Sequence, residues 1–230
     1  MTPSAPSPDN CLTRNDWICG EYITSRASDL GEALVQHLGL VVASVLLGLV
    51  LAFPLALLAR RYRRLEGVVV GTTTAIYTIP SLALFSLLVP LTGLGPTTVV
   101  LGLGLYSLTI LVRNVLDGLS AVPADVREAA TGMGYGASRL LFRVELPLAL
   151  PTIMAGIRVA TVSAVALTTV GAILDYGGLG DLLIQGKQSD FKAQVLVTSA
   201  LCVLLAIALD LVLVGVQRVL TPWTRTGATA

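Results

Sequence analysis

Few side chains in this sequence carry reactive chemistry, and their spacing narrows what they can do. Cys11 and Cys19 stand eight positions apart in a polar stretch, close enough to bridge where that stretch faces an oxidising space. No His or further Cys lies near them to complete a tetrahedral set, so no metal site is expected. Cys202 lies in an apolar run, where a thiol serves as a small buried hydrophobe. The lone histidine, His37, has no nucleophile or metal cluster near it, and no Walker motif appears. No catalytic site is therefore expected in this chain. Arg158 and Asp210 fall inside apolar stretches, where each would be costly if unpaired; they are expected to pair with each other or to reach headgroups.

The elements that carry these residues are read from hydropathy. The chain is 54% hydrophobic and only 13% charged, with a mean hydropathy of +0.82. A soluble domain carries about a quarter charged residues, so lipid is the expected solvent. A net charge of +1 excludes a nucleic-acid binder built on a large positive field. Five apolar stretches stand out, at about 38–58, 67–89, 97–112, 148–174 and 193–216. The fold class expected is all-α: a polytopic membrane bundle of five transmembrane helices. Pro54 and Pro80 fall within spans, and each removes a backbone hydrogen bond that neighbouring helices must replace. Small residues such as Ala43-Ser44 and Gly71-Thr72-Thr73-Thr74-Ala75 favour close helix packing.

Basic residues set the orientation. Five spans put Arg60, Arg61, Arg63, Arg64, Arg113, Arg127, Arg139, Arg143, Arg218 and Arg225 on one side. The other side receives Arg14, Arg26, Lys187 and Lys192. The richer side is cytoplasmic by the positive-inside rule, so the N-terminus is outside and the C-terminus inside. The first 22 residues have neither a basic start nor an apolar core, and they read as a polar tail. The organisation expected is an external tail over 1–29, a transmembrane domain over 30–217 and a cytoplasmic tail over 218–230.

The cytoplasmic segment 121–147 carries the most information. Ser120 and Pro123 suit a helix start, and 124–131 is rich in helix formers. Gly132, Gly134 and Gly136 then permit a sharp turn, and a second short helix is expected around Leu140, Leu141 and Phe142. Pro147 and Pro151 mark the start of the fourth span. The product is a rigid peg on the inner face.

Glu128-Ala129-Ala130, then Gly134, then Val144, Leu146 and Pro147 resemble the cytoplasmic signature of permeases of binding-protein-dependent ABC importers. Val144 stands where that signature has isoleucine, which keeps the β-branched apolar character. The resemblance implies an ABC importer type I permease fold, in which this segment is the coupling helix that docks on a separate ATPase. Small Ala129 and Ala130 would allow close approach, and Glu128 would meet a basic group. It implies two ATPase subunits that bind ATP and Mg, a second permease (a copy or a paralogue) and an extracellular substrate-binding lipoprotein. No cofactor is bound by the permease itself.

Thr78-Ile79-Pro80-Ser81-Leu82-Ala83-Leu84, the run from Leu146 to Arg158, and Gly177-Gly178-Leu179-Gly180-Asp181 narrow the resemblance to the osmoprotectant branch. So does the stretch from Cys11 to Cys19. Asp175-Tyr176 departs from that pattern, where small or apolar residues are expected. The implied cargo is glycine betaine, carnitine, choline or proline betaine, and the alternative is an amino acid such as methionine. Tyr77, Pro80, Ser81 and Tyr106, with Phe85, are candidates to line a path; no aromatic cage for a quaternary ammonium is visible. An ion-coupled secondary transporter would show inverted repeats and several buried acids, whereas Asp210 is the one deep acid here. A channel would need a filter or charged ring, and none is legible.

Overall fold

The computed structural model describes residues 10–225, and among them every regular element is helical. The first nine and last five residues of the predicted tails lie outside the described residues. In chain order the α-helices are α1 (Gly20–Ser25), α2 (Ala27–Arg61), α3 (Arg63–Thr78), α4 (Ser81–Thr92), α5 (Pro96–Ser120), α6 (Ala124–Gly132), α7 (Ala137–Leu140), α8 (Leu146–Thr168), α9 (Leu179–Gln188) and α10 (Lys192–Leu220). A π turn at Leu141–Glu145 joins α7 to α8, and a 3-10 turn at Thr169–Leu174 extends α8.

Four helical stretches are long and apolar enough to cross a membrane, or five with the bent pair α3 and α4 counted as one. The apolar stretch 67–89 is therefore not one straight span: its two halves meet at 100°. Proline explains the bend. Pro80 offers no N–H, and its ring pushes Ile79 out of the helical region, to φ −67 and ψ 128. Pro54 makes no such break, and α2 runs through it for 35 residues. The third span is longer than hydropathy suggested, 25 residues in α5, because Arg113, Asn114 and Asp117 continue the helix. Arg113 thus lies two turns inside α5, where its NH2 donates to Thr74 Oγ1 at 3.2 Å. Asn114 caps its own turn by donating to the Ile110 carbonyl at 2.8 Å.

Helix α5 sits at the centre and packs against α2, α3, α4 and α8. Small residues set the spacing. A Cβ on Gly48 of α2 would lie 2.8 Å from Ser107 Cβ, and one on Gly156 of α8 would lie 2.4 Å from Asn114 Cβ. These gaps are closed by backbone proximity, the device that serves where lipid removes the hydrophobic drive between helices. Ala52, Leu108, Leu111, Val112 and Ala160 fill one layer, and Ala56, Val115, Leu119, Ala149 and Ile153 the next. Phe85 is buried in a third layer, where it packs with Leu40, Val99, Leu103 and Leu174. Helix α10 lies at the edge, and Val203, Leu204, Ile207, Leu211 and Val212 remain exposed along it. Such a face suits hydrocarbon or another apolar helix, not water.

Candidate coupling segment and transport path

The segment 121–147 is half a peg and half a span. Helix α6 starts after Pro123 and is closed by a Schellman cap. The Gly134 N–H donates to the Thr131 carbonyl at 2.9 Å, and the Tyr135 N–H to the Ala130 carbonyl at 3.1 Å. Gly134 takes φ +83, a conformation that costs glycine nothing and a β-branched residue a good deal. The expected second short helix is not separate. Helix α7, the π turn and α8 form one continuous path from Ala137 into the membrane. The π turn follows from Pro147, which cannot donate to the carbonyl four residues back and crowds it, so the ladder widens.

This geometry divides the predicted residues. Glu128 and Ala129 are exposed on α6, and Gly134 is exposed with open space around its Cα. Ala130 is buried, and its small side chain packs within the chain's own fold. Val144 lies in the π turn, with Leu146 and Pro147 in the first turn of α8, all half-buried. They anchor the span that the peg leads into.

The four path candidates converge at the break between α3 and α4. Tyr77 ends one half, Pro80 and Ser81 begin the other, and Tyr106 faces them from α5. The Tyr77 and Tyr106 rings meet edge to face at 5.6 Å. The Tyr106 hydroxyl donates to the Ile79 carbonyl, which the break has left without a helical partner. Thr109 of α5 likewise donates to the Thr73 carbonyl at 2.5 Å. Helix α5 therefore supplies one hydroxyl to the non-helical backbone at the break, as a membrane requires, and one to α3 itself. Tyr106 is buried and supports the break, whereas Tyr77 and Pro80 are exposed at it.

At the opposite end Cys11 and Cys19 are joined by a disulfide. The loop that it closes carries Asn15, whose amide donates to the Asp190 carbonyl at 2.7 Å and accepts from the Lys192 N–H at 2.9 Å. Tyr22 stacks edge to face on Phe191 at 5.3 Å, and burial pushes its hydroxyl pKa up. Arg158 and Asp210 do pair, through two bonds of 2.8 and 2.9 Å, one of the two outcomes expected for them.

Four arrangements were not legible from residue types. His37 is fully buried, with Nδ1 3.1 Å from the Gly177 carbonyl and Nε2 3.0 Å from that of Val165. Asp181 accepts the Gly177 N–H through both oxygens, at 2.9 and 3.0 Å, and burial raises its pKa against the pull of those bonds. Asp175, the departure noted in the sequence, ends the 3-10 turn in the left-handed conformation at φ 57, which Asp tolerates better than most residues. The fourth arrangement is a buried carboxylate: Glu145 is 3% exposed and bonded to Arg60. An acid between Val144 and Leu146, at the start of a span, was the available signal.

Comparison with known proteins decides what this bundle is. The model of the family described as binding-protein-dependent transport system inner membrane component matches residues 44–226. The chain belongs to that family. It is an ABC transporter permease subunit, and a multi-pass protein of the plasma membrane. Among such permeases it is 36% identical over 204 residues to the glycine betaine/carnitine/choline transport system permease protein OpuCD of Bacillus subtilis, covering 88% of this chain and 89% of that one. It is 40% identical over 207 residues to the osmoprotectant import permease protein OsmW of Salmonella typhimurium, covering 87% and 96%. A solved chain of the MetNI methionine ABC transporter, in an inward-facing conformation, superposes with a TM-score of 0.75 at 21% identity, covering 86% and 98%. That likeness shows the permease fold.

Proposed function

We propose that this permease carries a quaternary-ammonium osmoprotectant, such as glycine betaine, carnitine or choline, into the cell. Support comes from the relatives of that specificity, which span nearly the whole chain. Energy comes from ATP bound with Mg by two partner ATPase subunits, and the cargo from a separate extracellular binding protein. A second permease completes the path, because five spans are too few to enclose one.

The single observation that carries the coupling role is α6 itself. It presents Glu128 and Ala129 at the end of the bundle where Arg60, Arg61, Arg63 and Arg64 lie, under a cap that fixes its direction. By the positive-inside rule that end is cytoplasmic, and the disulfide end is outside. A helix fixed at both ends and exposed on its outer face suits transmission of force without slippage. The broken helix with Tyr77, Pro80 and Ser81 is the proposed path wall, since irregular backbone at membrane depth belongs beside a polar cavity.

Two measurements test this. Proteoliposomes holding the permease, its ATPase and its binding protein should take up labelled glycine betaine, carnitine or choline only with internal ATP. Uptake of methionine alone would overturn the cargo, and uptake driven by an ion gradient without the ATPase would overturn the class. A cysteine at exposed Ser138 should resist an impermeant thiol reagent in intact cells. Rapid labelling there would reverse the topology and remove the docking role.

A further inference from the structure

Glu145 lies outside the signature residues, yet it is where the peg meets the bundle. Its carboxylate is buried in the π turn and accepts two bonds from Arg60 at the end of α2, NH1 to Oε2 at 2.8 Å and NH2 to Oε1 at 2.5 Å. The same Oε1 lies 3.6 Å from Nε of Arg127, which projects from α6. Arg127 also reaches the end of α5, where its NH2 donates to the Val122 carbonyl at 2.5 Å and approaches that of Ser120 at 3.4 Å. Two side chains thus tie the peg to the first, third and fourth spans. Otherwise α6 packs chiefly against α7 and the π turn.

Two details argue against simple glue. The Arg127 Nε is buried without a hydrogen-bond partner, and 3.6 Å is too long for a hydrogen bond to the carboxylate it faces. A donor in that position is costly, and displacement by under about 1 Å would either complete the bond or strand it. A cavity of about 350 Å³, lined by Arg60, Arg63, Glu66, Asp117, Ser120 and Arg127, adjoins the cluster and leaves room for that displacement. Second, a buried carboxylate shared by two guanidiniums gives little net stability over an apolar residue, but it does offer discrete alternative pairings. Bistable contacts of that kind carry coupling between distant sites.

We propose that Glu145 is a positioning residue that transmits movement of α6 to the first and fourth spans by sharing its charge between Arg60 and Arg127. This rests on the reading of α6 as the segment that docks on the ATPase. In one state Arg60 holds the carboxylate while Arg127 stands off; in the other Arg127 closes on it, and the ends of α2 and α8 shift relative to α6. The exchange moves no proton and breaks no covalent bond.

The test uses the reconstituted complex of permease, ATPase and binding protein, with labelled glycine betaine, carnitine and choline as probes. Cargo transported per ATP hydrolysed is measured for wild type, Glu145→Gln, Arg127→Gln and Ala129→Arg, with co-purification of the ATPase and thermal unfolding for each. In assembled Glu145→Gln and Arg127→Gln, cargo per ATP should fall about tenfold, within the about 5–150-fold typical of coupling between sites. A merely structural role would lower the unfolding temperature and leave that ratio unchanged. Should Ala129→Arg lose cargo-stimulated hydrolysis while both other variants keep a wild-type ratio, the inference is wrong and the docking role stands. If Ala129→Arg also keeps full stimulation, the docking role fails and the inference falls with it. Where Glu145→Gln does not assemble, the ratio in Arg127→Gln decides.

Discussion

At the disulfide end of the bundle, backbone meets backbone. A Cβ on Gly178 would lie 2.7 Å from the main-chain nitrogen of His37, and one on Gly180 would lie 2.4 Å from the Thr169 carbonyl oxygen. The tail is closed by a covalent bridge, and Asn15 pins it to the start of α10. At the α6 end the glycines at 132, 134 and 136 face open space, and attachment runs through a few charged side chains. Close backbone packing admits one arrangement, whereas long side chains around a shared carboxylate admit several at similar energy. One end is suited to hold its shape and the other to be displaced as a unit.

The comparison breaks first at Gly178. Its φ of +58 and its contact with His37 make any side chain doubly unfavourable, so Gly178→Ala should cost about 3–5 kcal/mol. Thermal unfolding of the purified permease in detergent measures this, and an unchanged midpoint would mean the end is less tightly packed than described. Next in size is the bridge. Replacing Cys11 and Cys19 by Ser should cost the tail about 2–3 kcal/mol, since the loop is short. Hydrogen exchange at the Lys192 amide should quicken while amides of α6 keep their rates.

At the other end effects on folding are smaller and effects on coupling larger. Gly134→Val forces a β-branched residue to φ +83 and should cost about 1–2 kcal/mol while abolishing cargo-stimulated ATP hydrolysis. Retained stimulation in the assembled complex would make α6 an ordinary loop helix. Gly132→Ala meets no atom within 4 Å, and it should change stability by less than about 1 kcal/mol, in the favourable direction. A loss as large as that at Gly178 would erase the contrast between the ends.

The smallest effect expected is one of pH. Burial raises the Asp181 pKa above its ordinary value, so the folded chain takes up this proton before the unfolded chain does as pH falls. The contribution to stability is fully present below the ordinary carboxylate pKa and is lost as pH rises through the raised one. The stability advantage of wild type over Asp181→Asn should therefore grow between pH 7 and 4. A difference independent of pH would show that the carboxylate is not desolvated.

Helix class and the position of the peg were legible because both are local. Apolar stretches of membrane length, Pro123 before α6 and Gly134 after it act through neighbouring residues. The limits of that reading were local too. Hydropathy ended the third span at Val112, since a window cannot see that Asn114 is half-buried against α8. It separated α7 from α8 at prolines that the chain accommodates with a π turn. Ala130 looked like its neighbour Ala129, and only packing distinguishes the buried alanine from the exposed one.

By itself, then, the sequence determined an all-helical membrane bundle, the place of its peg and the residue types at the break before α4. These follow from hydrophobic length, proline stereochemistry and glycine spacing, each set over a few turns of chain. Tertiary structure alone decided the partners of the buried polar groups. Arg60 finds Glu145 across 85 positions, and His37 finds the Gly177 carbonyl across 140. A charge or an imidazole in an apolar segment announces that it needs a partner, because leaving it unpaired is costly. Which partner it meets depends on how helices far apart in sequence are packed, and no pattern along the chain records that.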